Sequence, residues 1–206
     1  MPIGSLPQTF RRLADDFPIH SGYLQVDISK AAEWRSKLAV DGRPVIGISW
    51  KGGLATTGKY QRSVDLGEMA VALGTTGARL VSLQYGDATD EIHRVVNQTN
   101  VAIEAPLPSY ADLDELAAVT SACDVVITVC STLAHLCGAL GHPGYVLVPT
   151  AGNWRYGAFG NKTPWYPSLT LIRQSESGDW TNALAFAASC AQSRLLPPLR
   201  HSNEIP

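Results

Sequence analysis

The residues best suited to chemistry sit where apolar runs end. Val129-Cys130-Ser131-Thr132-Leu133-Ala134-His135-Leu136 reads as a strand that stops, two hydroxyl residues and a helix that begins. A helix start carries unbonded N–H donors and roughly half a positive charge, and Ser131 and Thr132 add hydroxyls, so this segment suits a diphosphate. His135, one turn into that helix between Ala134 and Leu136, taken alone fits a packed core position better than a ligand contact. A second candidate is Trp50-Lys51-Gly52-Gly53, directly after another apolar run. In an open α/β sheet ligands bind at the carboxyl ends of strands. Glycines there let backbone N–H groups approach an anion and Lys51 adds a point charge; the plain alternative is a loop with a solvated lysine. Arg62-Ser63 stand just before a further helix, placed for a phosphate or for a surface arginine and a cap. The last cluster is aromatic and cationic: Asn153-Trp154-Arg155-Tyr156, Pro164-Trp165-Tyr166-Pro167, Arg173-Gln174 and Asp179-Trp180. Aromatic faces and guanidinium groups suit sugars and bases, while Trp180 fits better as the roof of a core edge.

Two motifs mislead. Gly53 to Tyr60 nearly spells the phosphate-binding loop G-x-x-x-x-G-K-[ST], but Tyr60 stands where a hydroxyl should hold magnesium, and no apolar-periodic helix starts at Lys59. Asp112-Leu113-Asp114 is a literal D-x-D, yet both aspartates open an amphipathic helix, where acids cap N–H groups. No dinucleotide fingerprint, nucleophile elbow or zinc spacing is present.

The elements that must position these residues alternate. Residues 1–28, with Pro2, Pro7 and Pro18, are expected to be an extended leading segment, followed by a helix over 29–40. Strands are expected at 45–50, 79–84, 101–104, 124–129, 145–148 and 169–172. Leu66, Met69, Ala70 and Leu73 form a helical stripe behind an Asp65 cap. Further helices are expected at 89–97, 112–122, 132–140 and 180–195, before a Pro-rich tail over 197–206. The fold class is therefore α/β: one Rossmann-like domain over 29–196, a parallel sheet with helices on both faces.

The chain has 206 residues, 45% of them apolar, and a formal net charge of −2. There is no basic field to gather nucleic acid, so an anion must be held locally. No run approaches the ~20 apolar residues of a membrane helix, and Met1 to Phe10 lacks the long apolar run of a secretory signal, so it is not expected to be one. Cys123, Cys130, Cys137 and Cys190 form no C-x-x-C pair and read as reduced, buried thiols of a cytoplasmic protein.

Taken in order, W-K-G-G, R-S before a helix, Ser82-Leu83-Gln84-Tyr85-Gly86, V-C-S-T-x-A-H-L-x-G-A-L-G, N-W-R-Y, P-W-Y-P, R-Q and D-W resemble one family. It is the glycosyltransferase domain found at the C-terminus of bacterial tetratricopeptide-repeat proteins, related to the ADP-heptose–lipopolysaccharide heptosyltransferases. The resemblance runs from about Leu6 to the final helix. It implies the C-terminal, donor-binding lobe of a GT-B enzyme, a nucleotide-diphospho-sugar donor, metal-independent chemistry and no cofactor. By motif, Lys51, Gly52, Gly53, Arg62 and Ser63 would face the phosphates, and Gln84 and Tyr85 the base or ribose. Ser131, Thr132 and His135 would hold the diphosphate, and Trp154 and Arg155 would border the sugar. Cys130 stands where the heptosyltransferase pattern has Asp, which removes an acid. Only the second lobe is expected here, so the acceptor is unassigned, a partner polypeptide would supply the first lobe, and His135 is the one candidate base. A catalytically silent nucleotide-sugar-binding module is the first alternative, and a hydrolase or kinase using the Gly53–Tyr60 loop the second.

The rejected phosphate loop gives a direct test. Lys59→Ala should leave nucleotide affinity, measured by calorimetry, nearly unchanged. A tenfold loss, about 1.4 kcal/mol, would restore the hydrolase alternative.

Overall fold

The continuous apolar runs become one parallel sheet. The computed structural model describes residues 5–53, 60–107 and 112–195. Its strands are β1 (Val45–Ser49), β2 (Arg79–Ser82), β3 (Ile103–Glu104), β4 (Val125–Val129), β5 (Gly144–Val148) and β6 (Leu169–Arg173). They lie in the order β3-β2-β1-β4-β5-β6, each pair parallel. Every residue of β1 and β4 is buried, because helices cover both faces. The helices are α1 (Pro7–Phe10), α2 (Ile28–Leu38), α3 (Leu66–Gly74), α4 (Thr89–Thr99), α5 (Leu113–Ala122), α6 (Thr132–Ala139) and α7 (Thr181–Leu195).

Alternate strand residues feed two cores. Ile46, Ile48, Leu80, Val125 and Ile127 pack against Leu66, Met69 and Leu73 of α3, Ile92 and Val95 of α4, and Leu184 and Ala187 of α7. Val45, Val81, Val126 and Val146 face the other way, onto Leu38 of α2, Val119 of α5, and Leu133, Ala134 and Cys137 of α6. The expected α/β class and element order hold, with boundary differences that have local causes. Helix α2 starts at Ile28 because Asp27, one step earlier than expected, accepts from the N–H groups of Ser29 and Lys30. Asp65 and Asp112 cap α3 and α5 as expected, accepting from the amides of Glu68 and Glu115. Trp180 precedes α7 and is buried against the first core, as its roofing role required.

The leading segment, expected to be extended over 1–28, is not uniformly so. It makes the single turn α1 and a 3₁₀ turn at Ala14–Asp16 before it straightens. It then lies on the end of α6, where Tyr23 and Leu24 both donate backbone N–H groups to the Ala139 carbonyl, at 2.7 and 2.9 Å. Gly141 has φ of 67°, and a Cβ there would fall 1.7 Å from the Ser21 carbonyl oxygen. Only glycine permits that approach. The expected tail over 197–206 lies outside the described residues.

Next to this junction is His142, whose buried Nε2 has no hydrogen-bond partner among the described residues. Burial, reinforced by Arg194 and opposed by Asp124, lowers its pKa from the ordinary 6.5 to about 4. A base whose folded pKa is depressed stabilises the fold fully above its unfolded value, and that contribution disappears as pH falls towards the folded value. Urea unfolding should therefore show wild type losing up to about 3 kcal/mol more than His142→Asn between pH 6.5 and pH 4. Parallel pH profiles for the two proteins would count against this account.

Candidate functional site

Strand β1 lies between β2 and β4, so the direction in which the sheet is built reverses at its flank. A ligand crevice opens at such a switch point, outside the carboxyl ends of the strands. Here the loops after β1, β2 and β4, with the start of α5, wall a cleft of about 690 Å³. That volume lies within the usual range for small-molecule sites. Lys51, Gly53, Gln84, Tyr85, Ser131 and Thr132 line it, with Leu83, Leu116 and Leu133. Two acids, Asp87 and Asp112, are also at the wall. Their carboxylates accept from the backbone amides of Thr89 and Glu115.

Gln84 shapes the cleft. Its Oε1 accepts from the Ser49 hydroxyl at 3.0 Å, the Trp50 N–H at 3.0 Å and the Lys51 N–H at 2.9 Å. Its Nε2 donates to the carbonyls of Lys51 and Tyr85. The amide is thus taken up in holding the loop, and Tyr85, 78% exposed, is the side chain of the pair that is presented outward. Gly52 serves packing, since a Cβ there would meet the Cys130 carbonyl oxygen at 2.7 Å. The Lys51 ammonium donates to Glu91 Oε2 at 2.5 Å, and the same oxygen accepts the indole N–H of buried Trp50 at 3.1 Å. Glu91, in the first turn of α4, was not foreseen. Its only sequence signal is an acid at a helix start.

Ser131 occupies the N-cap of α6 without making a side-chain cap bond, because its hydroxyl pairs with Thr128 Oγ1 at 3.1 Å. Thr132, the first helical residue, is exposed at the cleft. Arg62 sits half-buried in the 3₁₀ turn Tyr60–Arg62, followed by half-buried Ser63. The next residue, Val64, donates its N–H to the Trp50 carbonyl, which brings this turn back to the end of β1. The Arg62 charge is felt at both Cys130 and Tyr156. Burial pushes the Cys130 thiol up to about 12, against the pull of Arg62 and Arg173, so it stays neutral at pH 7. Residues 54–59, with Lys59 and most of the near phosphate loop, lie outside the described residues.

His135, Trp154 and Arg155 gather in a second cluster and are not among the cleft-lining side chains. His135 Nδ1 and the Tyr166 hydroxyl are hydrogen-bonded at 3.1 Å. Its ring stacks on Tyr156 at 6.3 Å. Tyr166 can lie across α6 because residue 138 is glycine: a Cβ there would meet its ring at 2.2 Å. Burial, then the nearby Arg155, lowers the His135 pKa and favours a neutral imidazole. The Arg155 guanidinium lies 4.8 Å from the Trp154 ring centre, Trp154 meets Trp165 edge-on at 5.8 Å, and Trp165 meets Phe17 at 4.8 Å. Arg173 donates to the carbonyls of Tyr156, Phe159 and Gly160, clamping the loop that carries this cluster.

No family model matches the chain. Protein FlbA of Caulobacter vibrioides is 30% identical over 190 residues, covering 91% of this chain and 32% of FlbA. The chain therefore spans about a third of the length of that curated relative. Among solved structures, the family 9 glycosyl transferase of Veillonella parvula aligns with a TM-score of 0.55 and 14% identity, over 84% of this chain and 53% of that one. The ADP-heptose lipopolysaccharide heptosyltransferase II of E. coli aligns with a TM-score of 0.54 and 19% identity, over 91% of this chain and 56% of that one. The fold is that of one lobe of a GT-B glycosyltransferase. Among the described residues no helix is long and apolar enough to cross a membrane, and no three His, Cys, Asp or Glu side chains converge as metal ligands.

The Gln84 knot gives the test of this geometry. Gln84→Leu removes the acceptor of three donors and should cost about 2 kcal/mol or more. Gln84→Glu keeps an acceptor oxygen and should cost less. Denaturant unfolding of both variants checks the order, and equal losses would mean the knot does not hold the loop.

Proposed function

We propose that this chain is the donor-binding half of a glycosyltransferase that takes a nucleotide-diphospho-sugar without a metal. The observation that supports it most is the cleft at the switch point, where Lys51 and the start of α6 meet on a fold shared with half of two glycosyltransferases. In this reading the diphosphate sits at Ser131 and Thr132, where the helix start and its N–H groups favour an anion. Lys51 and Arg62 add positive charge, and together these groups stabilise the leaving diphosphate as a metal would elsewhere. Tyr85 and the narrow slot beside it, lined by Leu83, Ile92, Leu107 and Leu116, receive the nucleoside. Trp154 and Arg155 border the sugar from across α6.

In this reading the acceptor site and the general base come from a first lobe outside these residues. His135 is a poor base, since its Nδ1 is engaged by Tyr166 and its burial disfavours protonation. Membership of the tetratricopeptide-repeat-associated relatives of the heptosyltransferases, and action in the cytoplasm, belong to the same reading. A silent binding module would share the cleft and differ in turnover alone.

Calorimetry with UDP, GDP and ADP, with and without EDTA, tests the donor. One of the three should bind equally in both conditions. Arg62→Ala and Thr132→Val each remove a contact to a charged group, worth about 1.5–3 kcal/mol, so diphosphate affinity should fall roughly ten- to a hundredfold while nucleoside affinity holds. Binding abolished by chelation, or wild-type affinity in both variants, would overturn the proposal.

A further inference from the structure

The arrangement around Lys51 is unlike that of a cation held ready for phosphate. Its ammonium is already 2.5 Å from the Glu91 carboxylate. That carboxylate cannot swing away cheaply. The same oxygen accepts the indole N–H of Trp50, which is fully buried. The backbone of Lys51 is fixed in turn by Gln84. The Glu91 side chain is only 18% exposed, so water screens it poorly, and it sits in the first turn of α4, where a negative charge is favoured. The acids that line the cleft, Asp87 and Asp112, are engaged with helix-start amides, whereas Glu91 is tied to the cleft cation Lys51.

We infer that Glu91 is a built-in counter-charge to Lys51 that weakens the cleft's hold on a nucleoside diphosphate and so speeds its release. The inference rests on the donor-binding reading above. An anion entering beside Lys51 meets a cation whose charge is partly offset. Its attraction to the ammonium is reduced by repulsion from the Glu91 carboxylate, 2.5 Å from that ammonium. A site that stabilises a leaving diphosphate with helix dipole and cations must still let it go, and release is often the slow step of turnover.

Glu91→Gln is the discriminating variant, because it keeps an acceptor oxygen for Trp50 and Lys51 and removes only the charge. Nucleoside diphosphate should bind roughly three- to tenfold tighter at low ionic strength, with the gain shrinking in salt. The gain should be absent for the unphosphorylated nucleoside, which carries no charge for Glu91 to repel, and should persist in the Lys51→Met background. Unchanged or weaker diphosphate binding in Glu91→Gln overturns the inference. Titration with inorganic pyrophosphate, which needs no base or sugar site, separates the two readings. If pyrophosphate binds and tightens in Glu91→Gln while no nucleoside diphosphate binds the wild type, the donor reading fails and the counter-charge stands. A ligand-free arm is acylation of Lys51 by acetic anhydride, mapped by mass spectrometry. Lys51 should react faster in Glu91→Gln, since its amine is no longer held against a carboxylate, and an unchanged rate would overturn the pairing.

Discussion

At the end of β1 the backbone runs out of strand partners, and buried amides cannot be left without an acceptor. The side-chain carbonyl of Gln84 meets that need, taking the N–H groups of Trp50 and Lys51 together with the Ser49 hydroxyl. Much of the cleft depends on this one knot. It fixes where Trp50 turns inward, which sets the indole that holds Glu91. It also sets the path of the following glycine, which closes backbone to backbone on the Cys130 carbonyl. The loops after β1, β2 and β4 are thereby joined before any ligand arrives, which lowers the ordering cost of binding.

The site divides into two environments separated by α6. On the switch-point side, hydroxyls, a helix start and a lysine face an open cleft. On the other side, His135, Tyr156 and Tyr166 form a packed, hydrogen-bonded group that burial keeps uncharged. Arg62 acts between them, through its influence on Cys130 and Tyr156. Cys130 occupies the position where an acid was the family expectation, and its buried thiol brings no charge to that boundary.

What could be read from the sequence follows from the range of the interactions. Strands buried on both faces announce themselves as apolar runs, and caps such as Asp65 and Asp112 act within three residues of themselves. The helix start at Ser131-Thr132 was legible for the same reason. Gln84 and Glu91 were not legible as organisers, because their partners lie in other loops and only the parallel register of β1 and β2 brings them together. The tie between His135 and Tyr166 was likewise hidden, since it depends on the missing side chain of Gly138. Of the aromatic and cationic residues grouped in the sequence, Trp154, Arg155, Tyr156, Trp165 and Tyr166 gather near one another, but Trp180 joins the first core, and Phe17 and His135 enter the cluster from other segments.

The seating of the leading segment on the end of α6 bears on how this unit can be excised or grafted. Phe17 lies against Trp165, His20 is hydrogen-bonded to the Trp165 carbonyl, and Ser21 abuts Gly141. A cut made at the start of α2, where periodicity alone would draw the boundary, strips away one wall of the loop that carries Arg155. The transplantable module therefore begins upstream of Phe17. A chimera joined any later would carry an intact sheet and an unsupported rim.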